Sequence, residues 1–104
     1  MAQFDVYGNT NAETEDHIPY LLDVQADLLD SLSTRVVVPL ISHTAMEKPI
    51  AHLNPGFDIE GEPVFMSTAE LAGVPVRILG LKITSLKDRR DVIMAALDFL
   101  LVGF

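Results

Sequence analysis

The chain has 104 residues and a formal net charge of −8 at pH 7, with 15 acidic against 7 basic residues and no cysteine. A chain of this length forms one domain, which we expect to span residues 1–104. The missing cysteines exclude disulfides, thiolate metal sites and cysteine nucleophiles. The acidic balance disfavours direct binding to nucleic acid or to an anionic membrane surface, since both require clustered basic side chains.

The sequence carries no recognisable export or membrane signal. Its opening has no basic segment followed by an apolar stretch. The longest nearly apolar run, residues 92–104, contains Asp98 and is too short to span a bilayer, which needs about 20 residues. We therefore predict a cytoplasmic location. Residues 1–34 contain acidic residues but no Lys or Arg, which indicates either a solvated acidic face or a surface for a basic partner.

The first two-thirds of the chain has the pattern of β-strands. Residues 3–7 alternate between apolar and polar side chains, and residues 8–17 form a polar loop. Residues 19–25 are predicted as a second strand. The β-branched run at residues 35–41 is predicted as a buried third strand, in which Pro39 marks an edge or a bulge because proline has no N–H.

Three more short strands follow. Residues 54–56 form a turn, and residues 57–59 and 64–66 flank residues 60–63 as a hairpin. Residues 74–81 alternate again and are predicted as one strand, with Gly73 and Gly80 at its ends. Short strands at this spacing indicate a small antiparallel barrel or sandwich.

The final segment changes to a helical period. Ser85 is a candidate N-cap, the helix is expected from Lys87 onward, and Gly103 is a candidate C-cap. The apolar positions form two adjacent stripes that are wider than one amphipathic face. We therefore expect this helix to be covered on more than one side, with a second copy of the chain as one candidate cover.

Catalytic chemistry has little support in the sequence. His17, His43 and His52 have no metal-ligand spacing, and no nucleotide-binding loop or nucleophile elbow is present. Asp27 and Asp30 form either a carboxylate pair or, more commonly, a turn after a strand. Thr34 and Arg35 lie at the start of the third strand, where a lone arginine is more often structural than catalytic. The residues themselves therefore indicate a β-rich, dimeric binding protein with no catalytic residue, metal or cofactor.

Several segments, in order, resemble the CcdB family of bacterial toxins. Six short patterns of the family occur here in the same order. Q-F-x-V-Y corresponds to QFDVY at 3–7, D-V-Q-S-D-I-I-D to DVQADLLD at 23–30 and R-x-V-I-P-L to RVVVPL at 35–40. L-x-P corresponds to LNP at 53–55, M-x-T to MST at 66–68 and V-P-V to VPV at 74–76. An apolar helix with a glycine near its end completes the match, which covers nearly the whole chain. Such an ordered series is far more specific than any one motif.

The resemblance implies a mostly β fold, an SH3-like antiparallel β-barrel with one C-terminal α-helix, as in CcdB- and MazF-type toxins. It implies a homodimer that lacks catalytic activity, binds the DNA gyrase A subunit and traps gyrase on cleaved DNA. It also implies a CcdA-like antitoxin that binds through a disordered C-terminal tail. Nucleic acid is then contacted only indirectly, when the toxin–antitoxin complex represses its operon, and the module serves plasmid maintenance. Carried over by position, the gyrase-binding residues are Leu28, Leu29, Asp98, Leu101, Val102, Gly103 and Phe104.

The ending departs from the family pattern. The best-known members end in Trp-Gly-Ile, whereas this chain ends in Val102, Gly103 and Phe104 and contains no Trp. An aromatic ring at the first position supplies stacking that valine cannot. An alternative is therefore a relative with the same fold and antitoxin binding that no longer poisons gyrase. A further alternative is an endoribonuclease of the MazF type that uses Arg35 with Thr34 or a histidine.

Overall fold

The computed structural model describes residues 1–103. These residues form an antiparallel sheet followed by one α-helix. The strands are β1 (Asp5–Asn9), β2 (Tyr20–Asp23), β3 (Thr34–Ser42), β4 (Gly56–Ile59), β5 (Glu62–Met66), β6 (Ala72–Pro75) and β7 (Leu79–Ser85), and the helix is α1 (Arg90–Val102). Short 3₁₀ turns occupy Asp27–Leu29, Thr68–Glu70, Val76–Ile78 and Lys87–Arg89.

The sheet bends around its longest strand, β3. Neighbouring strands follow the order β4-β5-β3-β2-β1-β7, and β6 joins β3 outside this path. The first half of β3 pairs with β6 and its second half pairs with β5, while β2 lies along the opposite edge. The sheet therefore curves into a half-barrel that carries a C-terminal helix. This confirms the predicted fold class.

Pro39 lies where β3 changes partners. It pairs with Leu21 of β2, between Val37, the last β3 residue paired with β6, and Leu40, the first paired with β5. Its carbonyl accepts a hydrogen bond from the N–H of Ser67 at 2.9 Å. Because β3 has a local edge at this point, a residue without an N–H fits there.

The predicted strand over residues 74–81 is wrong as one element. The chain forms β6, then a 3₁₀ turn, then β7, so that it leaves the edge of β3 and reaches the edge of β1. The N–H of Val76 bonds to the carbonyl of Ser33 at 3.0 Å and fixes this turn. Gly80 lies inside β7 rather than at a strand end. A glycine is needed there, because a Cβ would lie 2.8 Å from the carbonyl oxygen of Gly8.

The hairpin between β4 and β5 is tighter than predicted. Ile59 pairs with Glu62, so the loop consists of only Glu60 and Gly61. Both loop residues have positive φ, 51° and 88°, as a type I′ turn requires. The side chain of Asp58 accepts the N–H of Gly61 at 2.7 Å and closes the loop.

Helix α1 covers the concave side of the sheet with one stripe. Ile93 and Ala96 are fully buried in a core whose strand residues come from β1 to β5. Other members of this core are Phe4, Val6, Leu22, Val38, Leu40, Phe57, Ile59, Val64, Met66 and Leu86. Within residues 1–103, no helix is long and apolar enough to cross a membrane.

The two predicted caps of the helix have different outcomes. Ser85 belongs to β7, and its hydroxyl accepts the N–H of Lys87 at 3.3 Å at the start of the 3₁₀ turn. It does not cap α1, which begins only at Arg90, because that turn comes first. Gly103 does end the helix, with a left-handed φ of 84° and its N–H bonded to the carbonyl of Phe99 at 2.9 Å.

Candidate partner-binding surface

The predicted binding residues lie on two elements, the turn after β2 and the end of α1. Leu28 is 96% exposed and Leu29 is 49% exposed, both in the Asp27–Leu29 turn. Leu101 and Val102 are 76% and 59% exposed at the end of the helix. Asp98 and Gly103 are also exposed there, whereas Phe104 lies outside the described residues. Each element thus presents apolar side chains to solvent.

The exposure at the end of α1 follows from the width of its apolar surface. Ile93 and Ala96 take the buried stripe, while Met94 and Leu97 pack against the core from its margin. Leu101 and Val102 lie beyond this stripe. The sheet of the same chain covers only one side of the helix, and a cover for its other apolar stripe stays a prediction.

The loop before β4 contacts the last turns of the helix. The ring of His52 stacks on Phe99 with centroids 6.3 Å apart and planes tilted by 23°. This loop is ordered by Asn54, whose side chain accepts the N–H of Ile50 at 2.9 Å and donates to the carbonyl of Met66 at 3.0 Å. The end of α1 therefore has a fixed support from the sheet side.

A buried ion pair lies at the base of the other element, the turn after β2. Arg35 is 1% exposed, and its guanidinium contacts the fully buried carboxylate of Asp23 through Nη2 at 2.6 Å and Nε at 2.8 Å. A second contact joins Nη1 to Asp30 at 3.1 Å. Burial raises the pKa of Asp23, and the hydrogen bonds from Arg35 and from the N–H of Gln25 oppose that rise.

Each of the three guanidinium nitrogens of Arg35 therefore contacts at least one of the protein's own oxygens. Its remaining contact is a long hydrogen bond, 3.5 Å, from Nη2 to the carbonyl of Gln25. The structural interpretation of this arginine is correct, and the carboxylates of Asp27 and Asp30 have separate partners rather than forming a pair. Asp27 accepts the N–H of Gln3 at 2.8 Å.

A second polar group lies beside this pair, on β1. The buried carboxylate of Asp5 accepts the hydroxyl of Tyr7 at 3.2 Å and lies 3.4 Å from the ammonium of Lys82 on β7. Burial, together with the negative charge and hydrogen bond of Asp5, raises the pKa of Tyr7 to about 12. All buried side-chain N and O atoms in residues 1–103 have a hydrogen-bond partner.

Sequence reasoning missed the network that joins Asp23, Gln25 and Arg35. The signal was present, because a basic residue that opens an apolar strand needs a buried acid as a partner. Asp23 was the acid available in the neighbouring predicted strand. No group of three or more potential metal ligands and no pocket occurs in the part of the chain that the structure describes.

The arrangement of curved sheet, single helix and two exposed apolar elements can be compared with known families. The sequence model described as CcdB protein matches residues 3–103. The chain belongs to the CcdB family. This membership makes it a toxin-type component of a toxin–antitoxin module, and a CcdB-family toxin has an antitoxin as partner. The family match spans both exposed elements of this chain.

Proposed function

We propose that this protein is the toxin of a type II toxin–antitoxin module that binds the DNA gyrase A subunit and traps gyrase on cleaved DNA. The single observation that carries the proposal is membership of the CcdB family over residues 3–103. The protein acts as a homodimer in the cytoplasm, by binding rather than by catalysis, and needs no cofactor. An antitoxin with a disordered C-terminal tail neutralises it.

The gyrase-binding surface in this proposal combines the turn after β2 with the end of α1. Its members are Leu28, Leu29, Asp98, Leu101, Val102, Gly103 and Phe104. The exposed side chains of Leu28 and Leu101 support it, because burying an exposed leucine against a partner removes apolar surface from water and favours association. Because Val102 offers no aromatic ring, Phe104 at the neighbouring position is the candidate to supply one.

Binding is favoured over RNA cleavage by the environment of Arg35. This residue is 1% exposed, and Asp23 and Asp30 engage its guanidinium. Its guanidinium is therefore held inside the protein by these two carboxylates and is not presented to an RNA phosphate. The net charge of −8 opposes RNA binding as well.

The test is a gyrase cleavage assay on plasmid DNA, in which SDS traps cut complexes. We expect linear DNA to increase with the concentration of the protein. Leu28→Ala and Leu101→Ala should each reduce this product at least tenfold, the effect of losing an interface anchor. Leu81→Ala is the matched control, since Leu81 is 83% exposed on β7 and outside the proposed surface.

A truncation that removes residues 102–104 sharpens the assay. It should abolish cleavage and leave the fold and the dimer intact, because Val102 is the last helical residue and Gly103 its cap. Sedimentation and circular dichroism check both. Absence of linear DNA with a well-folded, unmodified dimer would contradict the proposed gyrase poisoning. A tight complex with an antitoxin tail peptide in the same preparation would then identify a toxin fold with a different target.

A further inference from the structure

The turn that carries Leu28, residues 26–30, is exposed but is held by several hydrogen bonds and an ion pair. Leu28 itself is 96% exposed, so its own packing does not hold it. Backbone bonds close the turn, from Leu29 to the carbonyl of Ala26 at 3.0 Å and from Asp30 to that of Asp27 at 3.1 Å. Such short bonds alone leave a surface turn free to fray, because each competes with water.

Gln25 ties the turn to β3 from the inside. Its amide nitrogen donates to the carbonyl of Leu29 at 3.0 Å, and its amide oxygen accepts the N–H of Val36 at 3.0 Å. Gln25 is itself 6% exposed. The carbonyl that follows the exposed leucine is thereby linked to a strand of the sheet.

Two exposed carboxylates fasten the turn from the outside. Asp27 accepts the N–H of Gln3, just before β1, at 2.8 Å. Asp30, whose side chain is 59% exposed, contacts the guanidinium of Arg35 at 3.1 Å. Arg35 is in turn immobilised by Asp23. Leu28 therefore lies between two anchors, one that joins the turn to the segment before β1 and one that joins it to β3.

We propose that Asp27 and Asp30 are positioning residues, which hold Leu28 in one conformation ready to insert into the gyrase A subunit. The proposal rests on the proposed function for its partner, but the fastening of the turn stands on the contacts of this chain alone. A turn ordered before binding avoids the loss of conformational entropy on association. The acidic character of this turn thus serves its geometry rather than attraction to a basic partner.

The experiment compares two double variants with the same change in charge. The release variant, Asp27→Ala/Asp30→Ala, removes the contacts of the turn with Gln3 and Arg35. The control variant, Glu15→Ala/Asp16→Ala, removes two carboxylates from the loop between β1 and β2. All four side chains are exposed, and none belongs to the apolar core. Arg35 keeps Asp23 in both. ¹⁵N relaxation measures the order of residues 26–30, and calorimetry measures the Kd for a gyrase A-subunit fragment, with and without Leu28→Ala.

The release variant should lower the order parameters of residues 26–30 and weaken binding roughly tenfold, which is the scale of ordering one short turn. The control variant should change neither. In the background of Leu28→Ala, the release variant should weaken binding no further, because the carboxylates act through that leucine. A merely structural role would not produce this dependence.

Two results would overturn the positioning role. One is an unchanged order of residues 26–30 in the release variant, and the other is an equal loss of affinity with and without Leu28, which would make the carboxylates direct contacts. If the unmodified protein does not bind the gyrase fragment, the proposed function fails by itself. The relaxation data then still decide whether Asp27 and Asp30 hold the turn.

Discussion

The turn of residues 26–30 and the last turn of α1 both expose leucines, but different forces hold them. The turn rests on the buried polar side chains of Asp23, Gln25 and Arg35. The helix end rests on regular backbone hydrogen bonds, on the apolar burial of Ile93 and Ala96 and on the stacking of Phe99 with His52. Similar exposure therefore has two origins, which different substitutions should separate.

The difference lies in how each region responds to loss of one partner. A buried ion pair contributes little relative to an apolar pair of the same shape, but it is costly to break because one charge is left without a partner. An apolar stripe loses stability in proportion to the volume removed. Removing one ion-pair partner beneath the turn should therefore cost much of the stability in a single step. Shortening apolar side chains of the helix should lower stability in proportion to the volume removed.

The largest effect is expected for Arg35→Met. It leaves the fully buried carboxylate of Asp23 without its partner and should destabilise the fold by about 3–5 kcal/mol. Urea unfolding measures this loss, and Thr34→Ala, at the exposed neighbour, is the control. Asp23→Leu combined with Arg35→Met should recover most of the stability. If the combined variant were as unstable as Arg35→Met, the unpaired charge would not be the cause.

The next largest loss of stability is expected in helix α1, where two substitutions can be compared. Ile93→Ala removes a fully buried side chain and should cost about 2–5 kcal/mol of unfolding free energy. Leu101→Ala, at a side chain that is 76% exposed, should change the stability of the monomer by less than about 0.5 kcal/mol. Thermal unfolding at low protein concentration compares the two. A large loss for Leu101→Ala would place it in an interface with a second copy.

Much of this architecture was predictable where one local rule decides the outcome. The alternation and β-branched run located β1 to β3, and the helical period located α1. Gly103 was identifiable because a left-handed helix cap favours glycine. The hairpin at Glu60 and Gly61 was found, although its loop was drawn two residues too long.

The remainder depends on contacts between distant segments, which a local pattern does not encode. The break between β6 and β7 arises because the chain must move from β3 to β1, and the N–H of Val76 reaches Ser33. The pairing of Arg35 with Asp23 needs the register of β2 against β3. For the candidate surface, the family resemblance named Leu28 and Leu29. No local pattern predicted that Gln25 bonds to the carbonyl of Leu29 or that Asp30 pairs with Arg35.

An alkaline titration tests the buried polar group formed by Tyr7 and Asp5. The pKa of Tyr7 rises from its usual value near 10 to about 12 in the folded protein, mainly through burial and then through Asp5. The folded protein binds the Tyr7 proton more tightly than the unfolded chain does, which stabilises the fold by about 2–3 kcal/mol. This stabilisation is fully present below pH 10 and is lost as the pH rises through 12. Urea unfolding at pH 9 and pH 11.5 should show this decline. Tyr7→Phe, which removes only the hydroxyl, should flatten it, and an equal slope in both proteins would contradict the assignment.

The smallest effect concerns the cap of α1. Gly103→Ala places a Cβ at a φ of 84° and should cost about 1 kcal/mol, even though no atom lies within 4 Å of the new methyl group. Gly73→Ala is the control, since its Cβ also meets open space but its backbone needs no positive φ. Unfolding free energy and amide exchange at residues 101–103 measure the difference. Because backbone geometry rather than a polar side chain fixes the helix end, only Gly103→Ala should loosen it, and the turn carrying Leu28 should keep its exchange rates.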